Sequence, residues 1–551
     1  MPLRPRADLA THEVVNQPEP RADIDLWAED AALADAVTRE GGAAHAAGLA
    51  SVGGTLGRAE WRERGRLANR DPPELRAFDR TGRRIDEVAF HPAYHALMGL
   101  GLAEGYAALP WEQDAAPGGH VAHAALVYLM SQVEPGVCCP MTMNYAAVPA
   151  LGHDADLAAE WTPRLISRRY DPASRPAASK TGATIGMAMT EKQGGSDLRA
   201  NTTRATPDGD AWRLTGHKWF CSAPMSDAFL TLAQAPGGLT CFLVPRWTPD
   251  GNRNPLRLMR LKDKLGNRAN ASAEIEYDGT WARRLGEQGA GVRTILEMVH
   301  HTRLDTAMAP AGLMRAALAE ALWWCARRTA FQRRLIEQPM MLAVLADLAL
   351  DWEGALALGL RTARAFDESA GSDQARAFAR LAVPLAKYAT NKRCPLVIYE
   401  AMEALGGSAY VEESPLPLLF RESPLNSIWE GSGNVICLDV MRVLDRAPQA
   451  LDALNAELDA ATGAEPRYDA ALAAARARWP STPPESEARW FTETLARLLE
   501  ASLMIRHAPA PVADAFAATR LTGARGATTG ALPAAVDTAA VVGRVTATLP
   551  A

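Results

Sequence analysis

Lysine is nearly missing from this chain of 551 residues: it stands only at positions 180, 192, 218, 262, 264, 387 and 392, and the rest of the basic charge is arginine. Cysteine is sparse too. The seven cysteines (138, 139, 221, 241, 325, 394 and 437) are odd in number and contain no C-x-x-C pair. A disulfide framework or structural zinc site is therefore not expected, and no metal is assigned. No apolar run approaches the ~18 residues of a membrane span, so no membrane partner is expected. Met1-Pro2-Leu3-Arg4-Pro5-Arg6 leads into acidic and polar residues rather than an apolar signal core, and the expectation is a soluble, cytoplasmic protein. A basic excess is also lacking: 58 Lys+Arg face 64 Asp+Glu for a net charge of −6, unlike a dedicated nucleic-acid binder. G-x-S-x-G, H-E-x-x-H and P-loop lysine patterns are absent, and Gly99-Leu100-Gly101 follows no strand, which removes a Rossmann reading.

What is present is 48% hydrophobic residues, enough for roughly three or four domains at about 100–200 residues each. Residues 1–180 read mostly as helix, over Asp30–Arg39, from Pro92, and over Gly119–Val133, with stops at Asn69–Pro73 and Ala115–Gly119. Over 181–290 the texture turns to short β-prone runs: 211–215, 218–222, 228–233, 240–244 and 273–277. Over 291–446 apolar residues recur at three- and four-residue spacing, predicting bundle helices over 293–306, 312–331, 340–367 and 375–405. Residues 447–551 read as an alanine-rich, charge-balanced helical extension broken by Pro480, Pro483-Pro484 and Pro509/Pro511.

Three constellations could carry chemistry. Thr190-Glu191-Lys192-Gln193-Gly194-Gly195-Ser196-Asp197 pairs glycines with hydroxyls, as in a loop whose backbone approaches a pyrophosphate or a flavin edge. Lys218-Trp219-Phe220-Cys221-Ser222 offers aromatic faces for a planar ring and a hydroxyl for its edge. Ile428-Trp429-Glu430-Gly431-Ser432-Gly433-Asn434 sets a carboxylate beside apolar residues before a helix, where desolvation moves it towards the range of a general base. Ser432 or Asn434 could cap that helix. Each has an ordinary structural counterpart: a Gly-rich turn, sheet packing and a helix-capping box. Trp323-Trp324, Met340-Met341, His300-His301 and Cys138-Cys139 read as core or interface residues.

In this order, the segments resemble the acyl-CoA dehydrogenase superfamily of flavoproteins. Its loop, flavin-bracketing strand, subunit-contact stretch and G-G-x-x-Y…R-D…I-Y-E-G-T run are matched by Thr190–Asp197, Lys218–Ser222, Arg327-Arg328-Thr329-Ala330-Phe331, Gly406–Tyr410, Arg421-Glu422 and Ile428–Ser432. Thr11–Pro18, Ala36–Gly41, Met189–Asp197, Leu261–Arg268 and Asn426–Asn434 resemble its alkylation-response (AidB-type) branch, with the likeness strong to about Leu444 and loose beyond.

The resemblance implies an α+β acyl-CoA dehydrogenase-like fold: N-terminal helical domain (1–180), β domain (181–290), helical bundle (291–446) and a C-terminal helical extension (447–551) as a possible DNA-binding domain. It implies a homotetramer and FAD, held by Met187, Ala188, Thr190, Gly195, Ser196, Phe220, Cys221, Ser222, Ile428, Trp429, Gly431, Ser432, Gly433 and Asn434. Arg328 would reach a neighbouring subunit's cofactor, and Glu430 would be the catalytic base. It further implies association with double-stranded DNA in protection from alkylation, through arginines such as Arg442, Arg506, Arg520, Arg525 and Arg544. Acyl-CoA dehydrogenase activity would be residual. The alternative is a metabolic FAD-dependent dehydrogenase of short or branched acyl-CoA thioesters. Three features depart from the family pattern: Phe331-Gln332 in place of Phe-Gly, Lys192-Gln193 in place of Pro-Gly, and Arg421-Glu422 in place of Arg-Asp.

Overall fold

The computed structural model describes residues 5–113 and 116–549; Met1–Arg4 of the N-terminal stretch and Ala115 of the expected stop lie outside the described residues. Helices α1 (Ala31–Val37), α2 (Ala46–Leu56) and α3 (Ala59–Arg70) open the chain. The hairpin β1 (Glu74–Phe78) and β2 (Arg84–Ala89) follows, then α4 (Pro92–Ala103), α5 (Gly119–Ser131), α6 (Cys138–Leu151) and α7 (Ala155–Leu165). The hairpin falls between the expected stop at Asn69–Pro73 and the helix from Pro92, in a region read as mostly helical. Leu75 and Val88 pack on the β-domain core, and Asp79-Arg80-Thr81-Gly82 makes its turn, with Gly82 at φ +82°.

The sheet comprises β3 (Ile185–Ala188), β4 (Arg204–Asp208), β5 (Ala211–Ser222), β6 (Ala228–Ala235), β7 (Gly238–Pro245), β8 (Leu256–Leu261) and β9 (Ser272–Leu285). Pairing runs β3-β6-β4-β5-β9-β7 with β8 on β9, and β7 returns to β6, so the sheet curls into a small barrel. Trp212, Leu214, Phe229, Phe242, Ile275 and Tyr277 fill it. Two predicted runs, 211–215 and 218–222, are one strand: β5 pairs continuously with β9, from Trp212↔Ala282 to Ser222↔Ser272, and absorbs its irregularity in two bulges.

The bundle is built on α8 (Gly291–Arg327), α9 (Pro339–Glu368) and α10 (Asp373–Leu405). The two helices expected over 293–306 and 312–331 are a single helix ending at Arg327. Pro310 cannot donate to the Thr306 carbonyl, a loss that usually breaks a helix. Here Asn391 of α10 donates its side-chain amide to that carbonyl at 2.8 Å, and α8 runs on. Thr329–Arg334 is a hairpin, β10 (Thr329–Ala330) and β11 (Arg333–Arg334), with Phe331 and Gln332 at φ +50° and +66°. Two left-handed residues in succession suit a two-residue hairpin turn and end the helical reading there. No helix among the described residues is long and apolar enough to cross a membrane.

After α11 (Leu416–Glu422) and α12 (Gly433–Arg446), the extension forms α13 (Pro448–Asp459), α14 (Pro466–Arg478), α15 (Ala488–His507), α16 (Ala510–Arg520) and α17 (Thr538–Thr546). It packs back onto α9 and α10. Arg520 is the anchor: its guanidinium, 3% exposed, lies 2.6 Å from Asp347 and 2.7 Å from Asp351 of α9. Removing one partner of a buried pair leaves the other charge uncompensated. Arg520→Ala should therefore lower stability by about 3–5 kcal/mol in denaturant unfolding, whereas Arg442→Ala should stay within about 0.5 kcal/mol.

Candidate active site

The β-domain half of the site rests on a buried ion pair. Glu191 and Lys218 are both fully buried, with Lys218 Nζ 2.9 Å from Glu191 Oε1. The Thr202 and Thr203 N–H groups donate to the same carboxylate at 2.7 and 3.1 Å, and Lys218 also donates to the Leu232 carbonyl at 2.8 Å. Burial works against the charge of Glu191, but these donors outweigh it and hold its carboxyl well below the usual range. The pair ties the 190–197 loop to the middle of β5. Within the loop, a Cβ on Gly195 would sit 2.4 Å from Thr190 Oγ1, so glycine is required there. Met187, Thr190 and Gly195 are partly exposed, and Ser196 is exposed. Ala188 and Cys221 point into the barrel core, leaving only their backbones for a ligand. Phe220, 53% exposed, and Ser222 lie on the other side of β5.

The helical half is the turn before α12. Ile428 is 64% exposed and Trp429 donates to Asn426 Oδ1 at 2.6 Å. Glu430 and Gly431 are both left-handed, at φ +57° and +101°. Thr302 donates its hydroxyl to Glu430 Oε2 at 2.9 Å, and Arg303 Nε donates to the Glu430 carbonyl at 2.9 Å. Lys387 Nζ donates to the carbonyls of Asn426 and Gly431, each at 2.8 Å. Burial pushes the Glu430 carboxyl up, against the Thr302 hydrogen bond and the charges of Arg303 and Lys387. The capping expectation needs correction: Ser432 occupies the N-cap of α12 without a side-chain bond, and Asn434 accepts from Arg489 of α15 at 3.0 Å.

Cys139 of α6 is a free thiol within electrostatic reach of Glu430 and Lys264, and burial pushes it up to about 12, which leaves it inert as a nucleophile. A second tie links two sequence motifs. Asn267 donates its side-chain amide to Glu422 Oε1 at 2.9 Å, and Gly266 packs so closely on Arg421 that a Cβ would meet its carbonyl oxygen at 2.4 Å. Arg328 sits apart from both halves, donating to the Asn16 carbonyl and lying over the Trp324 ring.

The arginines expected to meet DNA are mostly committed within the chain. Besides the buried Arg520, Arg525 pairs with Asp347 at 2.8 Å, Arg506 with Glu457 at 2.9 Å and Arg544 with Asp35 at 2.7 Å. Arg442 alone of the five has a side chain more than half exposed, 3.6 Å from Asp439. Carboxylates of α9, α13 and α1 thus pair with four of the five.

Residues 16–172 match the adaptive response protein AidB N-terminal domain, 186–280 the acyl-CoA dehydrogenase middle domain and 289–444 the acyl-CoA dehydrogenase C-terminal domain. The chain is 47% identical to AidB of Escherichia coli (strain K12) over 92% of its own length and 94% of the relative's. It belongs to the acyl-CoA dehydrogenase family, in its AidB branch. It is also 31% identical to acyl-CoA dehydrogenase family member 11 of Caenorhabditis elegans, over 81% of this chain and 77% of that one. The crystal structure of C. elegans ACDH-11 in complex with C11-CoA matches with a TM-score of 0.81 at 28% identity, covering 94% of this chain and 92% of that one. An acyl-CoA dehydrogenase from Bacillus anthracis complexed with FAD matches at a TM-score of 0.61 and 16% identity, a likeness of fold, covering 78% of each chain.

Within this acyl-CoA dehydrogenase fold, the motif residues of both halves were visible in the sequence. Thr302, Cys139, Lys387 and the Glu191–Lys218 pair were not singled out there as site residues. The lysine shortage was the available signal. Lys192 and Lys262 lie over the Trp219 ring, Lys264 donates to Ser272 Oγ at 2.9 Å, and Lys392 donates to Ser427 Oγ at 3.2 Å. With Lys218 and Lys387, six of the seven lysines touch β5, the strand beside it or the Asn426–Asn434 turn. Glu191→Ala would leave the Lys218 ammonium unpaired in the barrel wall. We expect a loss of about 3–5 kcal/mol in thermal unfolding, with faster tryptic cleavage after Lys192 in the released loop.

Proposed function

We propose that this protein is an FAD-dependent oxidoreductase that dehydrogenates an acyl-CoA thioester between its α and β carbons, with Glu430 as the base. The observation that carries this reading is the Glu430 carboxylate, partly buried and bonded to Thr302, in the turn before α12. The residues of both halves suit a flavin: the exposed Phe220 and Ile428 side chains offer apolar surface, and Ser222, Thr190 and Ser196 offer hydroxyls for a polar edge. FAD would be held by the 187–196 segment, by Phe220 to Ser222 and by the Ile428–Asn434 turn, and when bound it supplies the hydride acceptor. Glu430 takes the α-proton, and burial raises its basicity for that task. Thr302 and the Arg303 contact fix the direction of the carboxylate, so that less ordering is needed in the reaction.

Exposed Phe331, 92% accessible at its hairpin tip, together with Met340 and Tyr410, provides apolar surface for the homotetramer. Duplex DNA has less support as a partner, because the net charge of −6 opposes a polyanion and four candidate arginines are neutralised.

Glu430→Gln should slow anaerobic flavin bleaching by butyryl-CoA by about 10³-fold, with FAD content unchanged; bleaching at the wild-type rate would reject Glu430 as base. Because burial raises the folded-state value of its carboxyl, the wild-type rate should climb with pH above the usual carboxylate range as Glu430 ionises. Phe331→Asp should shift the wild-type species to smaller assemblies in sedimentation velocity.

A further inference from the structure

Lys387 lies on α10 with only 1% of its surface exposed. Its Nζ reaches two carbonyls of the turn before α12, those of Asn426 and Gly431, at 2.8 Å each. These residues bracket Glu430, whose own carbonyl is held by Arg303. Glu430 and Gly431 are both left-handed, at φ +57° and +101°. A non-glycine residue adopts that conformation only where its surroundings enforce it. An uncharged amide side chain could also donate to two carbonyls, without the desolvation cost of a buried ammonium. A lysine here, whose ammonium when protonated also acts electrostatically on Glu430, thus asks for a purpose beyond satisfying the backbone.

We propose that Lys387 is a positioning residue for Glu430: its ammonium clamps both ends of the left-handed turn, and its charge favours the carboxylate over the acid. This rests on the reading of Glu430 as the base. Arg303 and Thr302 of α8, and Cys139 of α6, face the carboxyl from the other packed elements, and Asp439 of α12 pairs with Arg303 at 2.7 Å. Arg303 is thereby shared between Asp439 and the turn, which leaves Lys387 as the buried cation whose side chain is directed wholly to the turn. Burial, then the like charges of Arg303 and Lys392, push Lys387 down to about 7, while Glu430 pulls it back.

The test uses the FAD-loaded full chain with Lys387→Met, Lys387→Arg and Glu430→Gln. Anaerobic bleaching by butyryl-CoA is followed against pH, and the carboxyl C=O stretch that Glu430→Gln deletes is titrated by infrared spectroscopy without substrate. Lys387→Met should move both midpoints up by about one pH unit and slow bleaching near neutrality roughly tenfold. Lys387→Arg, which keeps the charge, should hold both midpoints close to wild type. If Lys387→Met does not retain FAD, Lys387→Gln takes its place with the same expectation. Unmoved midpoints in the neutral variant, or an Arg variant that shifts as far as the neutral one, overturn the proposal. Wild-type bleaching by Glu430→Gln would instead overturn the base assignment, and the infrared titration would then decide the Lys387 clamp separately.

Discussion

Burying α8 along most of its 37 residues is the constraint from which the helical half of the molecule follows. A helix enclosed on all sides needs partners around its whole circumference, and α5, α6, α9 and α10 supply them. Close approach is required where Gly312 meets the Tyr128 backbone, since a Cβ would lie 2.4 Å from that carbonyl oxygen. Continuity is required at Pro310, where the amide of Asn391 replaces a missing main-chain donor. These two contacts set the level of α8 against its neighbours. Thr302 and Arg303, about two turns before Pro310, are thereby carried to the turn that holds Glu430.

Charge is organised along the same lines. Where strength and fixed geometry are needed between elements, arginine pairs with carboxylates, as at Arg520 with Asp347 and Asp351 or Arg303 and Arg380 with Asp439. Lysine is kept for places where one compact ammonium meets several oxygens: Lys218 on Glu191 and Leu232, Lys387 on two carbonyls, and Lys264 on Asn270 and Ser272. The extension shows the cost of this economy for an external polyanion. Arg520 and Arg525 dock α16 and the 521–532 segment onto α9, while Arg506 ties α15 to Glu457 of α13, and these pairs take up the charge of all three.

Local patterns in the chain were sufficient for much of this architecture. Short β-prone runs with turn residues between them marked the barrel strands, because alternation and turn chemistry act over a few residues. Three- and four-residue spacing marked the bundle helices for the same reason. The failures also have local causes. The helices over 293–306 and 312–331 were read as two because Asn391, which makes good the donor missing at Pro310, lies on another helix. The β1–β2 hairpin was passed over because the surface that Leu75 and Val88 pack on is the distant barrel, and Phe331 was counted as helix because nothing in its immediate neighbours announces a left-handed turn.

By itself the sequence determined the motifs on both sides of the site, the order of helical and β segments, and the identity of Glu430 as a carboxylate beside apolar residues. Only the tertiary structure decided what surrounds that carboxylate: Thr302 is 128 positions away and Lys387 approaches from α10, 44 positions before Gly431. It also decided that Arg520, Arg525, Arg506 and Arg544 are paired with carboxylates of the same chain. Hydrogen bonds and ion pairs depend on distance in space, and no spacing along a chain encodes which far-off side chain will supply the donor or the counter-charge.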